Sequence, residues 1–60
     1  MSQKQRILEL LQDNPDGVSN EELHEIGWRY VSRIDELRNE GHNIESKHIK
    51  EWKWNFKLIN

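Results

Sequence analysis

At Gly41 the spacing of the apolar residues changes. Before it, Tyr30, Ile34 and Leu37 recur at i, i+4 and i+7, with Val31 beside them. That stripe belongs to an amphipathic helix. After it, Ile44, Ser46 and His48 alternate with Asn43, Glu45 and Lys47. Further on, Trp52, Trp54, Phe56 and Leu58 alternate with Lys53, Asn55 and Lys57. Period 3.6 giving way to period 2 means a helix feeding two strands. The spacing predicts a strand from Ile44 to about Lys47, a turn near Ile49-Lys50-Glu51 and a return strand from Trp52 to Leu58. No Asn-Gly or Asp-Gly pair fixes the turn type. Gly41 is the expected C′ residue of the helix.

Two more helices precede this step. Ser2-Gln3-Lys4-Gln5 fits a capping box, and Ile7, Leu8, Leu10 and Leu11 follow with helical spacing. Pro15, inside Asn14-Pro15-Asp16-Gly17, bars continuation, so the first helix spans about Gln3 to Asp13. Ser19-Asn20-Glu21-Glu22 is a second capping box, with Val18 and Leu23 at the hydrophobic-staple positions. Glu21 and Glu22 fall in the first turn, where the helix dipole favours negative charge. This second helix ends near Ile26, with Gly27 expected as a left-handed stop. The third helix is expected from Trp28 or Arg29, without a good N-cap.

Size and charge narrow the function classes. Sixty residues make one domain, spanning 1–60, with a small core. A substrate cavity with a catalytic shell does not fit beside such a core, so an enzyme is not expected. The absence of Cys excludes a disulfide framework, a thiolate nucleophile and thiolate metal sites, and it fits a cytoplasmic setting. No apolar run is long enough to span a membrane, and the residues after Met1 do not read as a signal peptide. A third of the chain is charged, yet three Trp, one Tyr, one Phe and the patterned apolar residues argue for folding rather than disorder. The net charge is −2, unevenly spread. Residues 1–27 set Lys4 and Arg6 against six carboxylates, whereas residues 28–60 set seven Lys and Arg against five. The rear half is therefore the basic half.

The order of helix, short helix, turn, helix and hairpin resembles the winged helix-turn-helix fold over nearly the whole chain. The passage Arg33-Ile34-Asp35-Glu36-Leu37-Arg38-Asn39-Glu40-Gly41-His42-Asn43-Ile44 is similar to the segment that closes the recognition helix and enters the first wing strand in small bacterial and phage domains of this type. Val18–Leu23, "VSNEEL", is similar to the start of their second helix. The fold class this implies is mainly α, with three helices and a two-stranded wing. The resemblance further implies double-stranded DNA binding. The third helix would lie in the major groove, where base edges are distinguishable, and the hairpin would lie on the flanking backbone. A small bacterial or prophage transcriptional regulator, or an excisionase-like factor, is the corresponding role.

The residues fit such a role in part. Arg29 and Arg33 stand four apart on one helical face, and Arg reads guanine through paired hydrogen bonds. Ser32 and Tyr30 are candidates for a phosphate or a base edge, although Tyr30 on the apolar seam reads more readily as core. The commonplace reading of Arg33 is a surface ion pair with Asp35 or Glu36, worth little. Arg38 reads as a structural partner, and Glu36 as a solvated carboxylate rather than an acceptor from cytosine. Lys47, Lys50 and Lys53 in the hairpin suit phosphate contact without sequence preference, and Lys57 less so. Lysines also blunt exposed strands. Trp54 and Phe56 are expected in the core, Trp28 beneath the turn before the third helix, and Trp52 is left open between packing and base stacking.

His24, His42 and His48 lack metal-ligand spacing, and no cofactor or small-molecule substrate is called for. A lone domain of this size makes few contacts, so specificity on DNA requires a dimer or tandem sites. The rival reading is a protein-interaction adaptor on the same fold, supported by the acidic front half. A purely structural domain is a third. The discriminator between the first two is whether Arg29, Arg33, Lys50 and Lys53 form one positive surface or are interrupted by acidic groups.

Overall fold

A computed structural model describes residues 2–59. Among them the chain forms α1 (Gln3–Asp13), β1 (Val18–Ser19), α2 (Asn20–Ile26), α3 (Tyr30–Asn39), β2 (Ile44–Lys50) and β3 (Lys53–Leu58). The three strands make one antiparallel sheet in the order β1-β3-β2. The fold is thus α+β, and the sheet has one strand more than the expected hairpin. Val18 and Ser19 were read only as a staple and a cap. They also pair with Phe56 and Asn55 across β3. A two-residue strand has no alternation of its own, so nothing local announces it.

The helix boundaries follow from their caps. Ser2 accepts a hydrogen bond from the Gln5 amide at 3.1 Å, and α1 runs over the expected residues. The Gly17 amide closes the turn after it by donating to the Asn14 carbonyl at 2.8 Å. Ser19 and Glu22 complete the second box reciprocally, at 3.3 and 3.2 Å. Gly27 departs from expectation. Its φ of −173° is extended, not left-handed, and its amide donates to the Leu23 carbonyl. The third helix also begins later than expected. Trp28 and Arg29 form a turn closed by the Tyr30 amide on the Gly27 carbonyl, and Arg29 caps α3 without a side-chain bond.

Gly41 behaves as expected. Its φ of +104° is costly for a residue with a Cβ. The His42 amide reaches the Leu37 carbonyl and the Gly41 amide reaches that of Arg38, both at 3.1 Å, the double closure of a Schellman end.

The core lies between the helices and one face of the sheet. Ile7, Leu11, Val18, Leu23, Ile34, Leu37, Ile44 and Phe56 form it, flanked by Leu8, Leu10, Ile26, Tyr30 and Leu58. Each large side chain buried there contributes roughly 1.5–3 kcal/mol. The hairpin extends past this core. Ile44 is the only buried residue of β2, and Phe56 the only one of β3. Its turn is Glu51-Trp52, later than expected, with Glu51 at φ +31° and a register shift between His48 and Lys50.

Two expected core residues are therefore outside it. Trp54 shares the inner face with Phe56, but it stands where no helix covers that face and is 39% exposed. Its ring stacks instead on His48 across the ladder, with centroids 4.7 Å apart. Trp28, on the short turn before α3, is 73% exposed rather than packed beneath that turn.

Candidate nucleic-acid interface

A side chain of α2 reaches the tip of the hairpin. Asn20 is the first residue of α2. Its amide nitrogen donates to the Trp52 carbonyl at 3.0 Å, and its amide oxygen accepts from the Trp54 amide at 2.9 Å. These bonds extend the β1–β3 pairing by one position, using a side chain in place of a backbone. The tip of the hairpin is thereby held at the N-terminus of α2. Sequence reading missed Asn20, because its partners lie more than thirty positions away and the residue itself reads as the interior of a capping box.

The base of the hairpin is fastened separately. The Arg38 guanidinium donates to the Ile44 carbonyl through Nε at 3.1 Å and Nη2 at 2.9 Å. Its Nη1 is 3.7 Å from Asp35 Oδ1. Arg38 is thus structural, as expected, although its main partner is a carbonyl rather than a carboxylate. The Lys4 ammonium pairs with Glu40 and ties α1 to the end of α3. That hydrogen bond raises the Lys4 pKa above its ordinary value.

The candidate contact residues are placed unequally. Arg29 is exposed, with its guanidinium carbon 4.9 Å from the Trp28 ring centroid, within cation–π range. Ser32 is exposed on the outward side of α3. Arg33 is half-buried and bonded to Glu36, the commonplace arrangement. Tyr30 is half-buried, edge-on to Phe56 at 5.9 Å and to His24 at 6.5 Å, so it packs against the core. Lys47 and Lys50 are exposed. Lys53 is partly covered and lies 4.0 Å from Glu21.

Two open depressions divide these groups. One is lined by Ser2, Gln3, Lys4, Trp28, Arg29, Arg33 and Glu36, between the start of α1 and one flank of α3. The other is lined by Asn20, Glu21, His24, Tyr30 and Trp52, between α2 and the hairpin tip. Arg29 and Arg33 are therefore brought together in one depression, and the hairpin lysines line neither. Carboxylates enter the basic surface at Glu36 beside Arg33 and at Glu21 near Lys53. Among the described residues, Arg29, Lys47 and Lys50 have no ion-pair partner within 4.0 Å.

Comparison with family models, with curated proteins and with solved structures finds no match to this chain. No helix among the described residues is long and apolar enough to cross a membrane.

Proposed function

We propose that this chain is a winged helix-turn-helix domain that binds double-stranded DNA. The reading places the start of α3 toward the major groove and the β2–β3 hairpin along the flanking backbone. The observation that carries it is the Asn20 clamp, which holds the hairpin tip at the helix-turn-helix segment. A hairpin held in this way can meet a duplex together with α3 without first paying to become ordered. Arg29 and Ser32 are the residues proposed to face the groove. Lys47 and Lys50 are the proposed phosphate contacts, as they carry charge that no carboxylate offsets. Arg33 and Lys53 contribute less, since each already has an acidic neighbour. The biological role proposed is a small bacterial or prophage regulator, or an excisionase-like factor, acting in the cytoplasm.

Fluorescence anisotropy with random-sequence duplex at two salt concentrations tests this. Binding that falls steeply with salt, and is weakened by Arg29→Ala and Lys50→Ala, is the expected result. No binding at low salt by the folded protein would remove the DNA reading.

A second reading, the protein-interaction adaptor, is supported by the acidic groups that interrupt the four basic residues, Glu36 at Arg33 and Glu21 near Lys53. Asp35 is exposed on α3, and Trp28 and Trp52 are 73% and 59% exposed. Aromatic groups on a surface of mixed charge suit a protein partner. An adaptor of this kind becomes the preferred function if the duplex titration is flat.

A further inference from the structure

The two edges of the sheet are finished differently. On one side of β3 lies β1, and beyond it the Asn20 side chain takes up the Trp52 carbonyl and Trp54 amide. On the other side lies β2, the outermost strand, with no further strand beside it among the described residues. β2 is seven residues long and contains neither Pro nor Gly. Such an edge is a template for another strand.

The ladder shows which backbone groups are free. The Ile59 amide donates to the Asn43 carbonyl at 2.8 Å, which marks that pair as hydrogen-bonded. Alternation along the register makes Glu45↔Lys57 and Lys47↔Asn55 hydrogen-bonded pairs as well. The backbone groups of Ile44, Ser46 and His48 consequently point away from β3. The Ile44 carbonyl confirms this direction, since the Arg38 guanidinium reaches it from outside the ladder. Both acceptor positions of that carbonyl are taken by the guanidinium, so the free groups of the edge are the Ile44 amide and the amides and carbonyls of Ser46 and His48.

We infer that the β2 edge is a self-association surface whose partner is a second copy of this chain, paired antiparallel about a two-fold axis at Ser46. Charge selects that register. With the axis at Ser46, Glu45 stands opposite the second copy's Lys47, and Lys47 opposite its Glu45. Both are non-hydrogen-bonded pairs, where side chains approach most closely. With the axis at Lys47, that lysine faces its own copy. With the axis at His48, Glu45 faces the second copy's Glu51 and Lys47 its Ile49. Of these registers only the one at Ser46 joins unlike charges twice, and it pairs the Ser46 amide and carbonyl of one copy reciprocally with those of the other. The register shift after His48 limits the pairing to the segment from Ile44 to His48. The inference does not rest on DNA binding; within the dimer Lys47 pairs with the second copy's Glu45, and the phosphate contact proposed for the hairpin falls to Lys50.

A contact of this length is smaller than a standard interface, so the expected dimer is weak, with a Kd of about 0.1–1 mM. Sedimentation equilibrium and amide exchange, followed by NMR over a concentration series, test it. Association should slow exchange at Ile44 and Ser46, and leave Glu45 and Lys47 unchanged because they are already bonded to β3. Ser46→Pro removes an outward amide and no bond to β3, so it should give a folded monomer. Glu45→Lys alone should weaken the dimer about tenfold, since symmetry places like charges opposite each other twice. The exchanged pair Glu45→Lys with Lys47→Glu should restore it. A wild-type monomer at about 1 mM, protection at other amides, or a folded Ser46→Pro variant that still dimerises would overturn the proposal. If Ser46→Pro unfolds, the exchanged pair decides: restoration supports the register, and failure to restore rejects it.

Discussion

The two halves of the hairpin have the same sequence pattern and opposite surroundings. In the half next to the helices, Ile44 and Phe56 are buried in the core, with Leu58 packed against it. In the far half, His48 and Trp54 continue the same face outside the core and stack on each other. Alternation tells which side chains share a face. It does not tell how far along the strand that face is covered, because cover depends on where the helices stop. The near half is held by packing and by the Arg38 fork, and the far half by the two hydrogen bonds of Asn20.

Substitutions that treat the halves separately sharpen this contrast. Phe56→Ala should have the largest effect, about 3–5 kcal/mol in urea-induced unfolding, because it empties the core beneath the sheet. Equal losses for Phe56→Ala and Trp54→Ala would abolish the distinction. Asn20→Ala comes next. Loss of two modest hydrogen bonds should cost about 1–2 kcal/mol. It should raise amide exchange at Trp54 while leaving Glu45, bonded to Lys57, protected to its former extent, and a uniform increase along the hairpin would mean that the halves do not move separately. Trp54→Ala should cost under about 1 kcal/mol, since the ring is only partly covered and its loss opens no cavity. Lys50→Ala should leave stability within about 0.5 kcal/mol. It should lower the salt slope of duplex binding by about one if the lysine meets a phosphate.

Local chemistry made the helices legible. Ser2, Pro15 and the Ser19–Glu22 box mark ends through bonds that span three residues, and those ends stand where expected. Gly41 was equally readable, as a glycine closing an apolar stripe. The start of α3 was not, because Arg29 offers no capping side chain and a tight turn can begin at any of several residues. β1 escaped notice for a different reason: its pairing is with residues 55 and 56, far along the chain. The surface was read least completely. Arg29, Ser32 and Lys50 are as exposed as their positions implied. The contact of Lys53 with Glu21 depends on tertiary placement, which no spacing rule contains. Trp28 was expected beneath its turn and Trp52 left open, because an aromatic ring at a turn can close over the core or stand clear of it, and here both stand clear.

The two fastenings of the hairpin have a mechanical consequence. Arg38 bolts the last turn of α3 to the root of β2, whereas Asn20 pins the opposite end to another helix. A hairpin supported at both ends behaves as a beam rather than a cantilever. A tilt of α3 is then carried along the strands instead of being lost at a loose tip. The connection is also keyed by polarity. The Asn20 amide must turn its nitrogen to one peptide group and its oxygen to the next. Asn20→Asp keeps the shape but supplies two acceptors and sets a carboxylate against the Trp52 carbonyl. Release of one end would turn the beam back into a lever, free to swing about Arg38.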